Sequence, residues 1–184
     1  MKKVNQTRYA ILGILTTGCR TGYQIKQMID NSLNHFWKIS YGQIYPTLKE
    51  LVEEGLATVQ DSVQEGKPDK KEYFLTAKGE EELKNWLQFP LEDIPVNKNE
   101  VLLKLFFGRH QDNNTTVAFI HNYQEILQKR YNTYEGIEAT IQSFSLDNVD
   151  AQYWLFTLDY GKRITAAEIG WCEDTIAKLK YKEE

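Results

Sequence analysis

The stretch Ser40-Tyr-Gly-Gln-Ile-Tyr-Pro46-Thr-Leu-Lys-Glu-Leu51-Val-Glu-Glu-Gly55 decides the fold. Ser40 and Gln43 have the spacing of a capping box, in which the serine takes a backbone N–H three residues on and the glutamine side chain reaches back. Behind the box, Ile44, Leu48 and Leu51 share one helical stripe and Gly55 supplies a C-terminal cap, so the spacing predicts a helix over 41–54. With about 100° between successive residues, Gly42, Pro46 and Lys49 lie opposite the apolar stripe and Gln43 and Tyr45 on its flanks. The exposed N-terminal end is therefore Ser40, Gln43, Tyr45, Pro46 and Lys49, while Glu50, Glu53 and Glu54 gather at the other end.

Upstream, Thr21-Gly-Tyr-Gln24 is a second capping box, followed by Ile25, Met28, Ile29 and Leu33 at helical spacing, which predicts a helix to about Asn34. Before it, Arg8 to Thr16 carries Tyr9, Ile11, Leu12, Ile14 and Leu15, a short and mostly buried helix ended by Thr17-Gly18. Downstream, Ala57 to Val63 and Glu72 to Leu75 are β-like runs flanking a polar loop over 64–71 that contains Gly66 and Pro68. Three helices and then a hairpin is the layout of a winged helix, although a scaffold with no nucleic-acid role can share it. A further helix follows Thr76, with Leu83, Trp86 and Leu87 as apolar positions, and Phe89-Pro90 through Pro95 breaks it. The expected division is a first domain over 1–90 and a second over 96–184.

The second half reads as all helical. Asn99 to Phe107 is nearly apolar apart from Lys104, its apolar run being Val101 to Phe107, and is expected to be buried on most sides. From Thr115 to Phe144, Ile120, Leu127, Tyr134 and Ile141 recur every seven residues, with Tyr123 and Ile137 three later, as on one long amphipathic helix. Asp150 to Lys180 places Trp154, Leu158, Ile164, Trp171, Ile176 and Leu179 on a broad apolar face, with Gly161 and Gly170 permitting close approach. Joined near 145–149, the two helices form an antiparallel hairpin about 45 Å long.

The expected fold class is thus mainly α with a small β-hairpin: an N-terminal winged helix-turn-helix and a C-terminal antiparallel long-helix dimerisation domain. The dimer is expected to use Ile120, Tyr123, Leu127, Tyr134, Ile137, Ile141, Trp154, Leu158, Ile164 and Trp171, with packing inside one chain as the alternative. Tyr153, Trp154, Phe156 and Tyr160 suit a pocket for a flat aromatic effector, although bundle core and interface are commoner uses of such rings.

Composition sets the limits. With 184 residues, 41% of them hydrophobic and 26% charged, and with only 11 Gly and 4 Pro, the chain is neither collagen-like nor disordered. Cys19 and Cys172 are far apart and His35, His110 and His121 are scattered, so neither a metal nor a cofactor is expected. Gly13 to Gly18 has the glycine spacing of a P-loop, but Cys19-Arg20 replaces the Lys-Ser/Thr that the loop requires, and no nucleophile elbow is present; an enzyme is not expected. Met1-Lys2-Lys3 and Gly18-Cys19 imitate a lipoprotein signal only faintly, and no apolar run reaches the length of about 18 residues that a membrane helix needs, so a cytoplasmic protein is expected. Net charge is −4, yet residues 1–79 hold 11 Lys+Arg against 8 Asp+Glu, a balance of +3, and residues 80–184 hold 11 against 18, a balance of −7.

A mildly basic front suits a polyanion. Recognition helices approach base edges with their N-terminal residues, where Gln43 pairs with an adenine edge and Tyr45 meets a thymine methyl or a phosphate. Lys67, Lys70 and Lys71 on the loop suit phosphates, which give affinity and salt dependence but little sequence information. Each has a plainer use: Gln43 closing the cap, Tyr45 packing, the lysines solvated.

Tyr9-Ala-Ile-Leu-Gly-Ile-Leu15, Gly22-Tyr-Gln-Ile-Lys26, Phe36-Trp37, Ser40 to Pro46, Glu54-Gly-Leu56 and Lys70-Lys-Glu-Tyr-Phe-Leu-Thr76 together resemble the PadR family of bacterial transcriptional regulators. The C-terminal helices extend the resemblance to the longer subfamily with a full dimerisation domain. It implies a homodimeric repressor on a pseudo-palindromic double-stranded DNA operator, released by a small molecule; phenolic acids act on some members and drug-like aromatics on others. It also implies DNA contacts at Gln43, Tyr45, Lys49, Lys70 and Lys71, with Tyr23 and Lys26 on the backbone. A winged-helix adaptor that binds protein and not DNA is the alternative, and salt-insensitive binding would favour it.

Overall fold

The computed structural model describes residues 5–62, 70–94, 96–144 and 148–181. The chain divides into two compact units, Met1–Ile94 and Pro95–Glu184.

In the first unit, helix α1 (Gln6–Thr16) starts two residues earlier than the apolar pattern suggests, because Asn5 caps it by accepting from the Thr7 backbone N–H at 3.3 Å. Helix α2 (Gly22–Asn31) opens on the expected box: Gln24 donates its N–H to Thr21 Oγ1 at 3.2 Å, and its side-chain oxygen accepts from Thr21 N at 3.1 Å. It stops short of Asn34, where Ser32 turns its hydroxyl back onto the Met28 carbonyl, and one 3-10 turn, Leu33–His35, follows. Helix α3 (Tyr41–Glu53) is preceded by buried Ile39, which shares a core with Ile44; these are the N′ and N4 positions of a hydrophobic staple. Its end is a Schellman turn: Gly55 has φ +72°, its N–H reaches Val52 O at 3.0 Å, and Leu56 N reaches Leu51 O at 2.8 Å.

Strands β1 (Ala57–Ser62) and β2 (Lys70–Leu75) pair antiparallel from Ala57 opposite Leu75 to Ser62 opposite Lys70. The second strand thus begins two residues before the β-like run, and Val63 lies outside the described residues. Tyr73 N donates to Arg20 O at 2.7 Å, tying β2 to the entry of α2. Helix α4 (Ala77–Gln88) is capped by Thr76, whose Oγ1 accepts from Gly79 N at 3.1 Å. Ile11, Leu12, Ile25, Ile29, Leu48 and Leu51 form the centre of the unit. Trp86 stacks on Tyr9 at 4.6 Å and 6°, whereas Leu87 faces outward.

In the second unit, helices α6 (Asn113–Phe144) and α7 (Ala151–Tyr181) form the antiparallel hairpin. Ile120, Leu127 and Tyr134 are buried and Ile141 half-buried, in the predicted seven-residue rhythm. Opposite them α7 buries Ala151, Leu158, Thr165 and Cys172, the same rhythm from a different set of residues. This corrects the face expected of the last helix: of Trp154, Leu158, Ile164, Trp171, Ile176 and Leu179, Leu158 alone is buried and Ile164 is exposed. Apart from Leu158, the inner line consists of small side chains. A Cβ on Gly161 would stand 3.2 Å from the Tyr134 ring; Gly170, in contrast, faces open space. Tyr123 donates to Glu168 at 3.0 Å, Gln124 to Glu173 at 3.2 Å and Lys162 to Glu138 at 2.7 Å across the hairpin.

The expected burial of the preceding segment is also corrected. Helix α5 (Glu100–Phe106) has no buried residue, and Leu102, Leu103, Phe106 and Phe107 are all exposed. At seven residues it touches α6 through Leu105 and leaves its other faces uncovered.

Candidate nucleic-acid interface

Ser40, Gln43, Tyr45, Pro46 and Lys49 are all exposed, from the N-cap of α3 to its third turn, as the helical angles predict. The cap constrains Gln43. Its Oε1 accepts from Ser40 N at 3.3 Å, which fixes the amide orientation and leaves both Nε2 hydrogens facing solvent. The cap uses one lone pair of this oxygen, so Gln43 keeps its two N–H donors and a second acceptor lone pair for other partners. Pro46 lies inside the helix and lacks the N–H that would have reached the carbonyl of Gly42. Lys49 pairs with Glu53 at 3.6 Å, an exposed i,i+4 contact that leaves the ammonium free to exchange partners.

Tyr45 is 61% exposed, yet one side of its ring is seated on the N-terminus of α2. A Cβ built on Gly22 would stand 2.6 Å from its Cζ and Oη. Tyr41, one turn earlier on α3, leans on α2 as well: its hydroxyl donates to Asp30, and the Lys26 ammonium lies 4.3 Å from its ring centroid. The hydrogen bond to Asp30 holds the Tyr41 phenol above the usual tyrosine range. Tyr23 is exposed on α2 and its hydroxyl accepts from Gln27 at 3.1 Å. Ser40, Gln43, Tyr45, Lys49, Tyr23 and Lys26 therefore belong to one α2–α3 surface. Gly22, Asp30 and Tyr41 complete it and were not singled out from sequence.

Of the loop lysines, Lys71 is exposed on β2 opposite Asp61. Lys67 lies outside the described residues, as does the side chain of Lys70. Behind the surface, burial raises the Tyr73 phenol above its usual range. Arg8 of α1 ion-pairs with Glu54 at the end of α3, and Lys78 of α4 reaches the Glu54 carbonyl at 2.7 Å, so the C-terminal end of α3 is anchored from two helices.

In the second unit, Ile120, Leu127, Tyr134 and Leu158 are already covered by the hairpin itself, so they have little surface left for a partner. Of the other positions expected at a dimer, Tyr123, Ile137, Ile141, Trp154 and Trp171 are half-buried and Ile164 is exposed. Tyr153, Phe156 and Tyr160 stand exposed on the outer side of α7, with the first two rings edge to face at 6.3 Å. A recess of about 620 Å³ lies elsewhere, between Leu103, Lys104, Phe107, His110, Gln111, Thr115 and Phe119. Among the described residues no cluster of three or more His, Cys, Asp or Glu could hold a metal ion, and no helix is long and apolar enough to cross a membrane.

Residues 11–85 match the model of the Transcriptional regulator PadR-like family, and residues 97–180 that of the Virulence activator alpha C-term domain. The Negative transcriptional regulator PadR of Bacillus subtilis is 31% identical over 177 residues, covering 94% of this chain and 96% of that protein. The crystal structure of Bacillus subtilis PadR in complex with operator DNA superposes with a TM-score of 0.85 at 28% identity, covering 94% of this chain and 98% of that one. The same regulator in complex with p-coumaric acid gives a TM-score of 0.79 at 26% identity, with 94% and 98% covered. These relatives are transcriptional regulators and not enzymes. With a winged helix in front and a helical domain of the virulence-activator type behind, the chain belongs to the PadR family of transcriptional regulators, in its longer form.

Proposed function

We propose that this protein is a homodimeric DNA-binding repressor that occupies a pseudo-palindromic operator and leaves it when a small aromatic effector binds. The observation that carries the reading is the exposed side of α3: Gln43 and Tyr45 stand out in the N-terminal half of a capped helix, Lys49 follows one turn further on, and the acidic Glu50, Glu53 and Glu54 come after it. Donors and an ammonium there suit acceptor edges and phosphates of the major groove. The wing lysines Lys67, Lys70 and Lys71 add contacts that do not depend on sequence. Tyr23 and Lys26 face the DNA backbone.

The dimer is supported by the apolar surface that the second unit leaves open on the outer side of α7 and on α5. A surface of that kind calls for a partner, and a two-fold pair of reading heads calls for a two-fold operator. The effector reading is supported by the relative that was solved with p-coumaric acid and with operator DNA. For Tyr153, Trp154, Phe156 and Tyr160 to hold such a ligand, a second wall has to come from outside the unit, because three of these rings are exposed.

Sedimentation of the protein with a fluorescent duplex from upstream of its own coding sequence tests this. The expected complex holds two chains per duplex and comes apart on addition of phenolic acids. One chain per duplex contradicts the dimer; a complex indifferent to every phenolic and drug-like aromatic contradicts the release.

A further inference from the structure

Lys26 and Asp30 stand one turn apart on α2, the spacing at which a lysine and an aspartate ordinarily pair. Among the described residues no ion pair joins them. Both are engaged instead by a single side chain of α3: Asp30 takes the Tyr41 hydroxyl proton and Lys26 lies against the face of the same ring, within the range of a cation–π contact. Tyr41 therefore engages both charges at once, the carboxylate through its hydroxyl and the ammonium through its ring face. Lys26 is exposed on the surface that also carries Tyr23, Gln43 and Tyr45.

Resting on the DNA-binding reading above, we propose that Tyr41 is a positioning residue for DNA recognition: it occupies Asp30 and holds Lys26 beside its ring, so that the Lys26 charge stays available to a phosphate and is not neutralised by its own helix. A carboxylate satisfied by a hydroxyl has less to gain from an ammonium, and an ammonium resting on a ring keeps its outward hydrogens. The same contacts tie the first turn of α3 to α2, at the turn that presents Gln43.

The test is the salt dependence of binding to a random-sequence duplex, which isolates phosphate contacts from base reading. Tyr41→Phe keeps the ring and removes the hydroxyl, freeing Asp30 to take Lys26. Between about 50 and about 200 mM salt, one lost phosphate contact makes the variant less salt-sensitive than the wild type by about threefold per protomer. Asp30→Asn placed in the Tyr41→Phe background cannot capture the ammonium and is expected to restore the wild-type slope. A Tyr41→Phe slope equal to wild type, or a shallow slope that Asp30→Asn leaves shallow, overturns the proposal. Wild-type protein that fails to bind the duplex even at low salt overturns the DNA-binding reading, and this proposal with it.

Discussion

The Tyr45 ring occupies the space that a side chain on Gly22 would need: a Cβ there would stand 2.6 Å from the phenol oxygen and from Cζ. The recognition helix is thereby seated on the first turn of α2 by its own candidate reading residue. Gly22→Ala favours the α2 helix but displaces an exposed ring, so the fold is expected to survive while the loss falls on DNA binding. In a double-mutant cycle followed by anisotropy, Gly22→Ala and Tyr45→Ala are expected to weaken operator binding by similar factors, and the double variant by little more than either. Additive losses would mean that the ring and the glycine act separately.

Gln43 has two duties that one substitution separates. Gln43→Glu keeps an oxygen for the Ser40 N–H and adds negative charge at a helix N-terminus, so thermal stability is expected to be unchanged or slightly higher. It also removes both N–H donors and presents a carboxylate to DNA. Operator affinity is expected to fall by about tenfold or more, since a good base contact is worth about 1–3 kcal/mol. Wild-type operator binding by this variant would leave Gln43 as a cap only.

Gly79 lies against backbone. A Cβ there would stand 2.1 Å from the Leu56 carbonyl oxygen and 2.8 Å from Leu75 Cδ1, and the carbonyl is held by Thr76 N at 3.1 Å. Gly79→Ala is expected to destabilise the first unit by about 1–3 kcal/mol, the cost of forcing extra volume into a packed site. Urea denaturation measures it, and an unchanged midpoint would contradict the packing.

Burial raises the phenols of Tyr9, Tyr73 and Tyr123 above their usual value, helped at Tyr9 by Glu82 and at Tyr123 by Glu168. The folded state therefore favours the neutral phenol more than the unfolded chain does. This contribution is present below the ordinary tyrosine value near pH 10 and is lost as pH rises through the raised values. Melting temperature is expected to drop above about pH 10, and Tyr123→Phe is expected to lessen the drop. A melting temperature that holds or rises through that window would contradict the assignment.

Much of this architecture is written in local chemistry. Both capping boxes, the Gly55 turn and the seven-residue rhythm of α6 act within a few residues of one another, so spacing alone reveals them. The inner line of α7 is hidden because Ala151, Thr165 and Cys172 are small and the bulkier Trp154, Ile164 and Trp171 draw the apolar face elsewhere; the small residues are buried beside the larger Ile120, Leu127 and Tyr134 of α6. The apolar composition of α5 misleads because burial depends on what arrives to cover a helix, and its own unit covers one side only. At the interface, the outward positions of α3 follow from helical angles. The seats of Tyr45 on Gly22 and of Tyr41 on Asp30 and Lys26 depend on how two helices cross, over separations of 11 to 23 positions that no local spacing encodes.

In the proposed function, the α2–α3 surface reads DNA. Fluorescence anisotropy with the duplex upstream of the protein's own coding sequence, at about 50 and about 200 mM salt and against excess random duplex, tests it most directly. Tight binding that weakens steeply with salt and survives the competitor is the predicted result. Absence of binding at low salt, or binding indifferent to salt, would contradict it and favour a winged helix that engages protein.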